Sequence, residues 1–280
     1  MDRPGTLYLC ATPIGNLEDM TYRAVRVLQE VAAIAAEDTR HTRKLLSHFA
    51  IKTPLVSYHE HNKADRGPEL IARLLAGESL AVVSDAGLPG ISDPGTDLVG
   101  QAIAAGITVS PVPGPSAALS ALVCSGLDTR TFLFAGFLPK TAKRRREVLA
   151  GLAREPHTLL FYEAPHRIES TLAELAEHLG DRPAVAGREL TKKFEEFVRG
   201  TLLSLAERFK AVPPRGEFTL VVGGAAGEAP AARDNPLPPV EAVAALVAGG
   251  LAKKEAIRRV AVERGLPRRA VYQAVLAAEE

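Results

Sequence analysis

The chain has 280 residues, 46% of them hydrophobic and 24% charged, and its 34 basic and 33 acidic side chains leave a net charge of +1. Plentiful apolar residues at near-zero net charge exclude disorder for most of the length, and a chain of this size buries a large core unaided, in two domains with room for an appendage. Cys10 and Cys124 are the only cysteines, which excludes a disulfide framework and a Cys-rich zinc site and leaves each expected as a small buried hydrophobe.

No apolar run reaches membrane-spanning length, and MDRPGTLYLCATPIG is too poor in apolar residues for a signal peptide, so a cytoplasmic location is expected. Three Asn, three Gln and two Met fit a heat-tolerant source or a GC-rich genome equally.

In chain order, TLYLCA (6–11) reads as a first strand, apolar on both faces, and opens into Ala11-Thr12-Pro13-Ile14-Gly15-Asn16. Pro and Gly force a tight bend there, equally suited to an ordinary turn or to a close ligand. The helical spacing of TYRAVRVLQEVAA (21–33) leads to a short apolar strand and then Glu37-Asp38-Thr39-Arg40-His41. Asp38 or Thr39 suits a helix cap, which leaves Arg40 and His41 unexplained. In Tyr58-His59-Glu60-His61-Asn62 two histidines lack a third ligand of recognisable spacing, so no metal is expected.

GPELIARLLAG (67–77) is helical, and AVVSDA (81–86) is a strand that runs into Ser84-Asp85-Ala86-Gly87-Leu88-Pro89-Gly90-Ile91-Ser92-Asp93-Pro94-Gly95. Twelve loop residues exceed what a turn needs, and their glycines free backbone N–H groups for a ligand. After the strand ITVSPV (107–112), Val112-Pro113-Gly114-Pro115-Ser116-Ala117 enters a helix that Ser116 suits as cap. SGLDTRT (125–131) then breaks that helix. Lys140, Lys143, Arg144, Arg145, Arg146 and Arg154 form a basic run opposed by Glu147 alone.

The strand TLLFYE (158–163) ends at Ala164-Pro165-His166-Arg167, helix RIESTLAELAEHL (167–179) follows, and PAVAGREL (183–190) leads into Thr191-Lys192-Lys193. EFTLVVGG (217–224) is the last strand. Strands alternating with helices predict an α/β fold with largely parallel pairing and ligands at the strand ends. Residues 225–239 are a Pro/Ala-rich linker, and residues 240–280 form three helices in which Gly265 and Pro267 mark a tight helix–turn–helix-like corner. Lys253, Lys254, Arg258, Arg259, Arg264, Arg268 and Arg269 make this unit basic. It suits nucleic acid, and equally a docking or dimer-supporting role.

No G-x-x-x-x-G-K-[ST], no G-x-G-x-x-G after the first strand and no G-x-S-x-G occurs, which argues against P-loop hydrolysis, a conventional dinucleotide site and a hydrolase elbow. Taken in order, TPIGNLEDMT, AEDTRHTRKLL, SYHEHN, VSDAGLPGISDPG, PGPSAALSALVCSGL, GFLPK, FYEAPHR and RELTKKFEE closely resemble the tetrapyrrole methylase (class III) superfamily, in the branch that 2′-O-methylates ribose in 16S rRNA. The resemblance covers residues 6–224, and the terminal helices are similar to that branch's small extension. It implies two α/β domains, 1–126 and 127–224, closing on S-adenosyl-L-methionine (SAM) in a homodimer. The linker 225–239 and an RNA-contacting helical unit 240–280 follow. The implied substrate is a decoding-centre cytidine of 16S rRNA, on the 30S subunit.

Carried over by position, Pro13 and Ile14 match the first-strand loop near the cofactor. Asp85, Ala86, Gly87 and Leu88 match the loop that meets its methionine part. Ser116 and Ala117 match the small pair beside the sulfonium, and Tyr162, Leu190, Phe218 and Thr219 match the adenosine side. Ser-Asp-Ala-Gly stands here in place of Gly-Asp-Pro, a departure that touches side-chain contacts more than backbone ones. A ribose hydroxyl is a poor nucleophile and gains from a base. Asp38, His41, His59, Glu60, Asp93 and Glu163 are candidates, with Asp38, His41 and Asp93 preferred. Arg40, Arg167, Arg188 and Lys192 are expected to hold phosphates, with Lys140, Arg144, Arg145 and Arg146 and, in the terminal unit, Lys253, Lys254, Arg258 and Arg268.

A tetrapyrrole (corrin-type) methylase, a diphthine-synthase-like protein methylase and a non-catalytic RNA-binding ribosome-assembly factor are the competing readings. The basic clusters oppose the first, and the unbroken run of loops opposes the last. Arg40→Ala is expected to weaken RNA binding in a salt-dependent way with SAM affinity intact, measured by filter binding and calorimetry; equal loss of both would mean misfolding.

Overall fold

A computed structural model describes residues 3–91, 95–212, 215–225, 238–263 and 266–278. They fall into two compact units, Met1–Ala225 and Ala226–Glu280. Asp93, Gly265 and nearly all of the expected linker lie outside the described residues.

The larger unit opens with β1 (Thr6–Cys10), α1 (Tyr22–Glu30), β2 (Ala33–Ala36), α2 (Thr39–His48), β3 (Leu55–Ser57), α3 (Lys63–Leu75), β4 (Leu80–Val83), α4 (Gly95–Ala104), β5 (Thr108–Val112) and α5 (Ala117–Ser125). Its strands pair in the order β3-β2-β4-β1-β5, all parallel. β2 and β4 are buried along their whole length. The reason is that helices cover both faces: Ala24, Val27 and Leu28 of α1 on one, and Leu70, Leu74, Leu98 and Ala102 of α3 and α4 on the other. The chain leaving β1 crosses toward β2, whereas the chain leaving β4 crosses toward β5. These two connections pass over opposite faces of the sheet, so the loops after the neighbouring strands part there and leave a crevice at their carboxyl ends.

The rest of this unit comprises β6 (Phe132–Phe137), α6 (Ala142–Leu152), β7 (Thr158–Glu163), α7 (Ile168–Leu179), β8 (Pro183–Arg188), β9 (Glu196–Thr201), α8 (Leu202–Ala211) and β10 (Phe218–Val222). Here the order is β6-β7-β10-β8-β9, and only β6 and β7 run parallel. The expectation of largely parallel pairing is corrected for this second sheet. The short 189–195 connection from β8 to β9 cannot hold a crossover helix, so the two strands pair as an antiparallel hairpin.

One face of the second sheet packs on α7 and α8 through Leu172, Leu175, Leu202 and Leu205. The other receives α5, whose Ala118, Ala121 and Leu122 seat on Leu160, Val185 and Val221. α5 thus follows the first sheet in the chain but packs on the second. Its outward side carries Leu119 and Val123, and the expected burial of Cys124 is corrected as well: Cys10 is buried, and Cys124 is exposed.

The smaller unit is α9 (Pro239–Ala248), α10 (Lys253–Glu263) and α11 (Arg268–Ala277). Val243, Ile257, Val260, Val271 and Val275 form its core.

Arg182 is the one arginine among the buried polar residues described, at 6% exposure. Its guanidinium donates to the carbonyls of Leu179 at 2.9 Å and Ala153 at 2.7 Å, and to those of Glu155 and Gly223 at 3.4 Å. It joins the ends of α6, α7 and β10. Arg182→Leu is expected to destabilise the larger unit by about 2–4 kcal/mol, since buried carbonyls lose their donors, read as a lower denaturant midpoint.

Candidate active site

The loops after β1 and β4 are zipped together by their backbones. Thr12 N donates to Gly87 O at 2.9 Å and Gly87 N donates to Thr12 O at 3.1 Å. Thr12 Oγ1 adds a bond to Ser84 O at 3.2 Å, and Ser84 Oγ turns back onto Gly87 O at 3.2 Å. Gly87 has φ +82°, a left-handed conformation that favours glycine. From the second half, the turn after β8 meets this clasp. A Cβ on Gly15 would lie 2.5 Å from Lys192 Cγ and 2.9 Å from Leu190 O, so only glycine admits the contact.

That turn carries two non-glycine residues with positive φ, Glu189 at 50° and Thr191 at 65°. Together they push Leu190 inward, where it is buried. Glu189 holds the turn in shape by accepting from Lys192 Nζ at 3.0 Å and from Glu217 N at 3.3 Å.

Between the two sheets lies a cavity of about 400 Å³. Ile14, Asp85, Ala86, Gly87, Leu88, Ser116 and Ala117 line it from the first half, and Tyr162, Leu190, Phe218 and Thr219 from the second. The structure therefore brings all of the residues matched to the cofactor together except Pro13, which lines a second cavity and not this one. Ser116 also caps α5, accepting from Leu119 N at 3.5 Å, so the capping and lining roles coexist. Pairing of β10 with β7 sets Thr219 opposite Tyr162 and Phe218 opposite Glu163. Tyr162 lies edge-on to Phe134, 5.0 Å between ring centroids. Burial raises its phenol pKa, against a smaller opposing effect of a backbone hydrogen bond from Ala118.

Five carboxylates line the first cavity (Glu37, Asp85, Glu163, Glu189 and Glu217) against one cation, Lys192. Glu163 is a fixed part of the wall: its oxygens accept from Ala164 N at 2.8 Å and Thr171 Oγ1 at 2.7 Å, with the Arg167 guanidinium 3.6 Å away. Phe137, Glu189 and Glu217 were not among the cofactor residues expected from sequence. The signal available was their position at or beside strand ends.

The catalytic candidates separate. Asp38 lines neither cavity. Its Oδ1 caps α2, accepting from Arg40 N at 2.8 Å and His41 N at 3.4 Å, and the Arg40 guanidinium lies 3.4 Å from Oδ2. The Arg40 amide first, and then its side chain, hold the Asp38 carboxyl below the usual range, the opposite of what a base requires. Asp38 N in turn donates to Asp85 Oδ1 at 3.1 Å. His41 lines the second cavity. His59 and Glu60 belong to a turn closed by Asn62, which accepts from His59 N at 2.8 Å and lines neither cavity.

The expected phosphate contacts differ in availability. Lys140, Arg144 and Arg146 are exposed at the start of α6. Arg145 instead forms a two-pronged ion pair with Glu174 and donates to Pro139 O at 3.2 Å, which makes it a structural clamp on that turn. Arg188 pairs with Glu196 at 2.9 Å. In the smaller unit Lys253, Lys254 and Arg268 are exposed, and Arg258 pairs with Glu255 at 2.5 Å.

Two α/β halves, with the loops of the first sheet and of the second closing one acidic cavity, define the class. The profile of the tetrapyrrole (corrin/porphyrin) methylases matches residues 6–206, and the chain belongs to that family. Within it, the chain is 51% identical over 274 residues to the ribosomal RNA small subunit methyltransferase I of Halalkalibacterium halodurans, covering 97% of this chain and 94% of that protein. The protein of the same description from Bacillus subtilis is 48% identical over 273 residues, 96% and 94% of the two chains. Among solved structures, uroporphyrin-III C-methyltransferase from Thermus thermophilus, complexed with S-adenosyl homocysteine, aligns with a TM-score of 0.56 at 22% identity, over 78% of this chain and 97% of that one. A diphthine synthase aligns with a TM-score of 0.58 at 16% identity, over 78% and 90%. These structural likenesses concern the fold.

Because the folded-state pKa of Asp38 is depressed, its cap contributes fully above the unfolded value near pH 4 and is lost as pH falls through the folded value. Asp38→Asn, an equally good cap, is expected to keep the neutral-pH melting temperature and to flatten its acid dependence below about pH 4. Asp38→Ala is expected to lower it at neutral pH. Circular dichroism melts across pH check both.

Proposed function

We propose that this chain is a SAM-dependent methyltransferase of small-subunit ribosomal RNA, acting on the ribose 2′-oxygen of a decoding-centre cytidine in the 30S particle, as a cytoplasmic homodimer. The carrying observation is the charge of the first cavity. SAM carries a sulfonium and an ammonium group against one carboxylate, and a lining richer in carboxylates than in cations suits that net positive charge better than it suits an anionic ligand. Near-full-length identity to proteins described as ribosomal RNA small subunit methyltransferase I supports the acceptor. The exposed Leu119 and Val123 on α5 are consistent with a partner subunit.

The residues present fit the cofactor. Leu190, Phe218 and Tyr162 offer apolar walls with adjacent backbone for an adenosine. Ala86, Ser116 and Ala117 are small enough to leave room at the centre, and Asp85 and Glu37 supply carboxylates for a cationic end. When bound, SAM supplies a methyl group on a leaving group that needs no protonation. The protein's task is then alignment, exclusion of water and removal of one proton. The Thr12–Gly87 clasp and the Glu189–Lys192 pair hold the walls rigid, so little reorganisation remains for the reaction. Phe137 and Tyr162 shield the cavity from the β7 side. His41 is the preferred candidate base that stays on a cavity wall, and we assign it the hydroxyl proton.

Labelled methyl transfer from SAM to 16S rRNA, free and within 30S subunits lacking the modification, tests the reading. Nuclease-resistant label on a ribose 2′-oxygen is expected. SAM binding without transfer to either form would overturn the rRNA acceptor and bring tetrapyrrole and protein acceptors forward. His41→Asn is expected to lower kcat by about 10²–10⁴ with SAM affinity unchanged.

A further inference from the structure

The second cavity, about 480 Å³, adjoins the first and shares Ile14, Asp85, Ala86, Lys192 and Glu217 with it. Its remaining walls are the Thr12–Leu17 loop and one face of α2, where His41, Lys44 and Leu45 stand at helical spacing. Passing from the first cavity to the second, the charge balance changes. Five carboxylates and one lysine give way to Asp85 and Glu217 against Lys44 and Lys192.

The two carboxylates are also those nearest the shared boundary, and Asp85 already spends Oδ1 on Asp38 N. The cations come from both sides of the opening, Lys44 from α2 and Lys192 from the turn after β8. Lys192 is held in place by Glu189 at 3.0 Å and by the contact of its stem with the Gly15 backbone. Lys44 is exposed and has no carboxylate partner among the described residues.

We infer that the second cavity is the acceptor-nucleotide subsite, in which Lys44 on α2 and Lys192 across the opening hold a backbone phosphate next to the methylated ribose. The inference rests on the ribosomal RNA reading above and adds the site and the residues that would recognise the strand. A phosphate belongs there because the first cavity repels anions, whereas this one pairs fixed positive charge with an open mouth. The Glu217 carboxylate at the shared boundary is left to accept from a ribose hydroxyl. Neither lysine can serve the other's role, because they approach from opposite walls.

The test uses the full chain with Lys44→Glu, Lys44→Arg and a charge-matched control on the same helix outside the cavity, Arg43→Glu. The measurements are SAM calorimetry, salt-titrated binding of unmodified 30S subunits, and KM and kcat for methyl transfer. Lys44→Glu is expected to bind SAM as wild type and to bind 30S subunits roughly ten- to hundredfold more weakly. Its salt dependence should be shallower by about one phosphate contact. Lys44→Arg is expected to restore most of the affinity, and Arg43→Glu to stay near wild type. A wild-type KM in Lys44→Glu, or an equal loss in Arg43→Glu, would overturn the subsite while leaving the enzyme reading intact. A wild-type protein that binds SAM and methylates no ribosomal RNA would overturn both.

Discussion

Two reciprocal backbone hydrogen bonds between Thr12 and Gly87 tie the loop after β1 to the loop after β4, neighbouring strands whose connections pass over opposite faces of the first sheet. Most of the site hangs from this clasp. It orients Ile14 and Asp85 toward the cavity, and it presents Gly15 as a bare backbone surface on which Leu190 and Lys192 rest. Any side chain at Gly15 would part the turn after β8 from the first-strand loop. Backbone bonds of this kind hold geometry without consuming side chains, which leaves Asp85, Ser116 and the neighbouring alanines for a ligand.

Charge is partitioned with the same economy. The chain is almost neutral, yet carboxylates outnumber cations on the first cavity, while exposed bases gather at the start of α6 and on the terminal helices. Several arginines that look free in sequence are structural. Arg182 ties helix ends to β10, and Arg145 clamps a turn to α7 through Glu174. A basic run is therefore not one surface: Lys140, Arg144 and Arg146 face solvent while Arg145, in their midst, faces the fold. The alternation follows from helical periodicity, because one residue in each turn of α6 must look inward.

The motif residues show how far one-dimensional reading reaches. Glycine, proline and small residues after apolar strands marked the cavity loops, because a tight bend and a close approach each demand those residue types locally. The cap at Asp38 was legible for the same reason, since a carboxylate two and three residues before free N–H groups acts within one turn. What sequence left open was whether that carboxylate also faced the site. Its partners settle that it faces its own helix.

Sequence by itself determined the α/β class, the strand-end loops and the basic terminal helices, since each is written in local spacing and residue type; most of the residues that meet in the first cavity came instead from the resemblance to the family. Tertiary structure alone decided the antiparallel pairing of the second sheet, the placement of α5 on that sheet, the division of arginines into clamps and free charges, and the second cavity with Lys44 on its wall. These depend on contacts between residues far apart in the chain, such as Gly15 with Lys192 and Leu122 with Val221. Local propensity carries no information about such pairs until the sheets are assembled.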